Sequence, residues 1–213
     1  MRLSMVVEGL SLKKGYNLLI SGLNFSLFPG EALALGGDNG VGKTTLLRTL
    51  AGFSAPHAGT VRFVANDVQL DSDEVQARHI HLLGHHDALS PARTVVQELQ
   101  FQSDYLGGGD WREAVAPLRL ETLLDLETRY LSAGQKRRLS CARLIMAPRP
   151  LWLMDEPMAP LDAAHRELLA GLMQAHMAQG GSLIAAIHDP LPFATRTLRL
   201  ERPTLSQREA ERV

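Results

Sequence analysis

The segment that most clearly indicates a chemical function is a glycine-rich stretch near the N-terminus. It matches the spacing G-x-x-x-x-G-K-S/T at every fixed position, through Gly37, Asp38, Asn39, Gly40, Val41, Gly42, Lys43 and Thr44. Glycines let successive backbone N–H groups converge on phosphate oxygens, and the start of a helix adds the positive end of its dipole. We expect Lys43 to reach the β- and γ-phosphates of a nucleotide and Thr44 to bind Mg²⁺, with Thr45 as a further contact.

Acidic and imidazole side chains follow two apolar runs later in the chain. Asp155 and Glu156 come after residues 151–154, and His188 comes after residues 182–187. If both runs are strands of one parallel sheet, these side chains lie at its ligand-binding edge. Asp155 is then expected to hold the water shell of Mg²⁺, and Glu156 to orient or deprotonate an attacking water. His188 is expected to hydrogen-bond to the γ-phosphate or to that water.

A second stretch also has the composition of a phosphate-binding turn. Residues 131–140, LSAGQKRRLS, combine small residues and a glycine with a run of three cations. The chain already has one phosphate loop, so this stretch needs another explanation.

The elements that must position these residues can be read from hydrophobic periodicity and turn residues. We predict strands at 3–10, 22–27, 31–35, 59–64, 79–83, 151–154 and 182–187, and helices at 44–51, 94–102, 111–115, 135–146 and 163–178. The first two strands are expected to be antiparallel, while the later alternation of strands and helices predicts a parallel α/β core. We expect one domain over residues 1–202, a helical insert at about 90–146 and a polar tail over 203–213.

Composition limits the possible functions. The 213 residues are 45% apolar and 21% charged, as in an ordinary globular protein, and the net charge of −1 gives no general attraction to nucleic acid or to an anionic membrane. The single cysteine, Cys141, cannot form an internal disulfide and fits a reducing compartment. The sequence has neither a secretory signal nor an apolar run of the ~18 to 20 residues that cross a bilayer. Any membrane contact is therefore expected through a partner.

The order of these motifs resembles the nucleotide-binding subunits of ABC transporters over about residues 3–200. The resemblance implies a P-loop NTPase fold of the ABC type, with ATP and Mg²⁺ as ligands, an N-terminal antiparallel β subdomain and a helical subdomain. LSAGQ at 131–135 is similar to the signature LSGGQ, with Ala133 replacing a glycine. In that family two subunits pack head to tail on binding ATP, so Ser132 and Gly134 would contact the partner's ATP. Lys136, Arg137 and Arg138 are then expected to be solvated helix charges.

Within that family, the chain resembles the CcmA branch. The similar stretches are LSAGQKRR at 131–138, ARL at 142–144, residues 147–157 and LLGH at 82–85. The resemblance implies a peripheral subunit on the cytoplasmic side of the inner membrane, paired with a CcmB-like integral membrane permease. It also implies other cytochrome c maturation proteins as partners, and work tied to supplying heme to a periplasmic heme chaperone.

Three positions depart from the family pattern or match it loosely. His86 stands where the family usually has the lid glutamine that links Mg²⁺ and the attacking water to the membrane partner. Its reach is similar, but its charge depends on pH. Tyr16 is the candidate for the aromatic residue that stacks on adenine. It lies one or two residues away from the position where the family has this aromatic residue, so a surface tyrosine without a binding role is an equal alternative. Cys141 is expected to be buried packing on the signature helix.

Other interpretations are left open. His79, His81, His85 and His86 suggest a heme or metal site, with His79 and His81 on one strand face, but structural histidines are favoured because no Cys or acid lies at ligand spacing. The chain could instead serve another exporter or be a soluble ABC protein without a transport role. A module that binds ATP without hydrolysing it is disfavoured by Glu156 and His188.

Overall fold

The computed structural model describes residues 1–204, so most of the predicted tail over 203–213 lies outside the described residues. The strands are β1 (Ser4–Lys14), β2 (Asn17–Leu27), β3 (Ala32–Gly36), β4 (Ala58–Ala65), β5 (Val68–Leu70), β6 (Ile80–Leu83), β7 (Leu151–Asp155), β8 (Ser182–Ala186) and β9 (Arg196–Arg199). The helices are α1 (Lys43–Leu50), α2 (Ser72–Arg78), α3 (Val95–Leu106), α4 (Ala133–Met146) and α5 (Ala163–Ala178). Three short 3₁₀ turns lie between α3 and α4, at Trp111–Ala114, Glu121–Leu123 and Thr128–Tyr130.

Two sheets organise the chain. An antiparallel sheet has the strand order β2-β1-β4-β5, and a parallel sheet has the order β6-β7-β8-β3-β9. These sheets, with the helical segment between β6 and β7, confirm the predicted fold class.

The parallel sheet is covered on both faces, which explains why β7 and β8 are apolar apart from Asp155 and Ser182. Every residue of these two strands is buried. Leu153 packs into a cluster with Leu47 of α1, whereas its neighbour Met154 packs on the opposite face with Leu139 of α4. Side chains alternate across a strand, so an unbroken apolar run can fill two cores.

The two long helices of the insert begin at similar capping boxes. Thr94 caps α3 and Ser132 caps α4, and each side chain accepts from the backbone N–H of a glutamine three residues later. Each glutamine side chain accepts in return from the backbone of the capping residue, so two otherwise unpaired N–H groups are satisfied. None of the helices in residues 1–204 has the length and apolarity needed to cross a bilayer.

Some elements differ from the sequence-based expectation. The strand expected at 79–83 begins at Ile80, and the helix expected at 111–115 is a 3₁₀ turn. Strands β5 and β9 and helix α2 were not predicted. β9 is four residues long, mostly exposed and rich in arginine, so it carries no hydrophobic period and depends on pairing with β3 at the sheet edge.

Candidate active site

The residues predicted to bind or hydrolyse nucleotide follow neighbouring strands of the parallel sheet. The phosphate loop follows β3, Asp155 and Glu156 lie at the end of β7, and His188 comes two residues after β8. Residues 84–87, which we call the lid loop, follow β6. These four strands are adjacent and parallel, so their carboxyl ends meet at one edge.

The backbone of the phosphate loop requires glycine at two positions. Gly37 has φ +126°, and a Cβ there would lie 2.5 Å from the carbonyl oxygen of Leu200, which follows β9. Gly42 has φ +117° and precedes α1 without a capping side chain, so no side chain of the cap occupies the first N–H groups of the helix. Lys43 Nζ donates to the carbonyls of Gly37 at 2.6 Å and Asp38 at 3.4 Å, which holds its ammonium over the loop.

Thr44 and Asp155 meet although they are 111 residues apart in the chain. The Thr44 hydroxyl donates to Asp155 Oδ2 at 2.7 Å, and Asp155 is only 4% exposed. The two groups supply hard oxygen atoms beside a phosphate loop, which is the kind of donor set that Mg²⁺ prefers.

Glu156 and His188 also contact each other. His188 Nε2 lies 2.9 Å from Glu156 Oε1, and the nitrogen must be the donor because an ionised carboxylate only accepts. Glu156 has φ +48°, an uncommon value for a residue with a side chain, and its N–H donates to Ala186 O of β8 at 3.0 Å. The backbone therefore holds the carboxylate against the neighbouring strand end.

One cleft contains most of these groups, with a volume of about 740 Å³. It is lined by the phosphate-loop residues Asn39, Gly40, Gly42, Lys43, Thr44 and Thr45, and by Asp155, Glu156 and His188. The remaining predicted contacts do not line it: Gly37, Asp38 and Val41 of the phosphate loop, and Tyr16, His86, Ser132 and Gly134.

Tyr16 lies in the turn between β1 and β2 and is fully exposed. It borders a second hollow that continues from Gly40 and Val41 and that also includes Arg202 and Pro203. Arg202 was missed in the sequence because nothing in its surroundings marks it, and it donates to Asn39 O at 3.5 Å. The role of Tyr16 in stacking on adenine stays a prediction.

Ser132 and Gly134 form the start of α4. Ser132 Oγ accepts from Gln135 N at 3.2 Å, and Ser132 N donates to Gln135 Oε1 at 2.8 Å. A Cβ on Gly134 would lie 2.9 Å from Pro160 O, so close packing already calls for a glycine here. Contact of either residue with a partner's nucleotide stays a prediction.

The expectation that all three cations after the signature are solvated was wrong. Arg137 is 3% exposed and Arg138 is 8% exposed, and both point inward from α4. Arg138 donates to Leu118 O and Arg119 O at 2.8 and 2.6 Å, while Arg137 donates to carbonyls of the lid loop. Long cations can be buried when backbone carbonyls replace their water, and those carbonyls come from segments distant in the sequence.

His86 is exposed and lines a separate hollow of about 280 Å³ with its neighbours in the lid loop and with Leu89, Arg129 and Lys136. It lies in the loop after β6, and its contact with Mg²⁺-bound water stays a prediction.

The histidines around β6 do not share one face. His79 precedes the strand, whereas His81 is buried within it and hydrogen-bonds through Nε2 to Ala147 O at 2.6 Å, which corrects the predicted pairing of these residues. Within residues 1–204 no group of three or more metal-ligating side chains comes together. Cys141 is buried as predicted, and burial raises the pKa of its thiol to about 12.

Comparison with known proteins places this site in a family. The model of the ABC transporter family matches residues 20–159, a range that contains the phosphate loop, the signature stretch and both carboxylates. Solved structures share the fold: a putative ABC transporter ATP-binding protein from Pyrococcus furiosus aligns with a TM-score of 0.78 at 20% identity, over 92% of this chain and 97% of that chain. The ATP-binding cassette MJ0796, solved as a dimer bound to ADP and Pi, has the same TM-score at 21% identity, over 92% and 94% of the two chains. The fold and the site thus define an ABC-type ATPase.

Curated relatives narrow the assignment. The chain is 45% identical over 195 residues to the cytochrome c biogenesis ATP-binding export protein CcmA of Rhodopseudomonas palustris, covering 91% of this chain and 96% of the relative. The CcmA proteins of Bradyrhizobium diazoefficiens and Rhizobium meliloti are 44% and 42% identical, covering 88% and 89% of this chain and 92% and 93% of the relatives. The chain therefore belongs to the CcmA family of ABC transporter ATPases.

Proposed function

We propose that this chain is the ATP-hydrolysing subunit of a membrane complex that serves cytochrome c biogenesis, and that it powers delivery of heme to a periplasmic heme chaperone. One observation carries the proposal: the similarity to proteins named as cytochrome c biogenesis export ATPases extends over 91% of the chain rather than over the nucleotide motifs alone. Sequence outside those motifs is where a transport ATPase must differ from its relatives to fit a particular partner.

The hydrolytic step rests on residues of the main cleft. The glycine-rich loop over residues 37–42 and Lys43 bind the phosphates of ATP, and Glu156 accepts a proton from the attacking water. His188 donates a hydrogen bond to Glu156 at 2.9 Å. This bond orients the carboxylate of Glu156 toward the γ-phosphate and keeps the imidazole of His188 near the same phosphate. His86 completes the water site from the lid loop.

Thr44 and Asp155 are the residues that would hold Mg²⁺ through their side-chain oxygens. Their oxygens lie 2.7 Å apart beside the phosphate loop, and this all-oxygen donor set fits the metal. When bound there, Mg²⁺ would supply positive charge that offsets the negative charge on the phosphate oxygens.

The proposed assembly is a head-to-tail homodimer that forms on ATP binding and docks on a CcmB-like permease at the cytoplasmic side of the inner membrane. In this dimer Ser132 and Gly134 of each copy contact the ATP of the other, and Tyr16 stacks on adenine. Residues 1–202 act as one ATPase domain, and the insert at about 90–146 is its helical subdomain.

A complementation experiment tests the function. The gene is expressed in a bacterium that has lost its c-type cytochromes because its own CcmA gene was deleted, and covalently bound heme is measured in the membrane fraction. We expect the wild-type chain to restore it. Glu156→Gln should not, because the change slows hydrolysis at least ~100-fold while ATP still binds.

A matched control is Glu167→Gln, which makes the same chemical change on the exposed side of α5 and should complement fully. Full complementation by Glu156→Gln would mean that another group activates water. If the wild-type chain hydrolyses ATP in vitro but restores no c-type cytochrome, the chain serves a different exporter.

A further inference from the structure

Arg137 is a buried cation whose known contacts all lie in the lid loop. Its guanidinium donates from Nη1 to Gly84 O at 2.9 Å and from Nη2 to His85 O at 3.3 Å. Nη1 also lies 3.2 Å from Asp87 Oδ1, without the alignment of a hydrogen bond. A desolvated guanidinium is stable only with such partners, so burial of Arg137 and the conformation of the lid loop depend on each other.

A second arginine of α4 holds the end of the same loop. Arg143 Nη2 donates to Asp87 O at 3.4 Å, while its Nε donates to Ser140 O within the helix. Arginines of α4 thus bind three of the four carbonyls of residues 84–87. Burial raises the pKa of the Asp87 carboxyl, and Arg137 opposes that rise.

The remaining residue of the loop is His86, whose side chain is exposed. Its flanking carbonyls are fixed to α4, so the position of its imidazole follows the position of the helix. Arg137 lies five residues after Ser132, about 7.5 Å along the helix axis. About one and a half turns of a capped helix therefore separate the signature end of α4 from the residue that holds the lid loop.

We propose that Arg137 is a positioning residue for ATP hydrolysis, which fixes the lid loop to the signature helix so that α4 and His86 move as one body. Contact at Ser132 with the partner's nucleotide then sets where His86 stands over its own site. The inference rests on the proposed lid role of His86, and it adds the residue through which that role is coupled to the signature.

A double-mutant cycle tests this positioning. Arg137→Lys keeps the charge and the stem but cannot donate to two carbonyls in a fixed fork. In the full chain we expect it to lower kcat for ATP about tenfold, because misplacing a reacting group by a fraction of an ångström costs rate. KM should change less than about twofold, since the phosphate loop is untouched. In a His86→Ala background the same substitution should change kcat by less than about twofold.

Arg138→Lys is a matched control. Arg138 is the adjacent buried arginine of α4, but its carbonyl partners are Leu118 and Arg119 rather than the lid loop. Its effect on kcat should be the same factor with and without His86. Backbone amide hydrogen exchange distinguishes the local effects of the two variants. Arg137→Lys should speed exchange at residues 85–88, whereas Arg138→Lys should speed exchange near residue 119.

The outcomes are distinguishable. If His86→Ala alone leaves kcat unchanged, the lid role fails and the inference fails with it. If His86→Ala lowers kcat and Arg137→Lys lowers it by an equal factor in both backgrounds, only the positioning role is overturned. If Arg137→Lys does not fold, Asp87→Asn replaces it, since Asp87 is the more accessible partner of the ion pair. Asp87→Asn should then lower kcat in the wild-type background and change it little in the His86→Ala background.

Discussion

At the scale of single residues, the contact between Thr44 and Asp155 joins the start of α1 to the end of β7 through one hydroxyl. We predict that Thr44→Val, which keeps the shape and removes the oxygen, raises the Mg²⁺ concentration needed for half-maximal ATPase activity roughly tenfold or more, since metal sites lose affinity by such factors when their oxygen network is broken. Titration of activity with Mg²⁺ at saturating ATP measures this.

Thr49→Val is the control for that change, because it also removes a hydroxyl from α1. The hydrogen-bond partner of the Thr49 hydroxyl is Ser54 Oγ at 2.9 Å and not Asp155. Its Mg²⁺ requirement should match that of the wild type. Identical Mg²⁺ curves for Thr44→Val and wild type would remove Thr44 from the metal site.

At the scale of elements, strand β6 contains a buried histidine, His81, that we expect to make the fold sensitive to acid. Burial lowers the pKa of His81 to about 3, against a smaller opposing effect of its hydrogen bond to Ala147. The unfolded chain protonates this histidine near the ordinary pKa of about 6.5, so between about 6.5 and 3 the unfolded state binds more protons. The contribution of His81 to the free energy of unfolding is therefore largest above about pH 6.5 and falls below it, by up to ~1.4 kcal/mol per pH unit.

We predict that His81→Gln makes the fall in stability between pH 6.5 and 5 shallower, because glutamine can donate to Ala147 O at a similar reach but does not titrate. Denaturant unfolding followed by tryptophan fluorescence at pH 7, 6 and 5 measures the slope. His85→Gln, the same change at an exposed position, should keep the wild-type slope. Parallel curves for His81→Gln and wild type would place the acid sensitivity elsewhere, for example at His176, whose pKa burial also lowers.

At the scale of the whole molecule, the signature does not line the cleft that holds the chain's own phosphate loop. If sites are shared head to tail, a Lys43→Ala chain and a Ser132→Arg chain complement each other, since a heterodimer has one site with both defects and one intact site. We predict that a mixture hydrolyses ATP faster than either variant alone, with a maximum near equal proportions. ATPase activity measured across mixing ratios tests this.

The matching control mixes the Lys43→Ala chain with a chain that carries both substitutions, which leaves no intact site and should show no maximum. Activity that follows the weighted mean of the two single variants at every ratio would contradict the shared site.

The sequence by itself determined the phosphate loop, the carboxylates of β7, the later histidine and the alternation of strands and helices. Each of these depends on spacing or periodicity within a few residues, which local steric and hydrophobic preferences dictate. The parallel arrangement of the longer apolar strands also follows, since strands that alternate with helices form a sheet that those helices cover on both faces.

Only the tertiary structure decided which distant groups meet. Thr44 and Asp155 are far apart in the chain, and the edge strand β9, which brings Leu200 against Gly37, has no hydrophobic pattern of its own. Arg137 has the same local surroundings as a solvated helix residue, yet it is buried because carbonyls of the lid loop replace its water. Partners of this kind come from chain segments whose proximity arises only on folding, so no local pattern contains them.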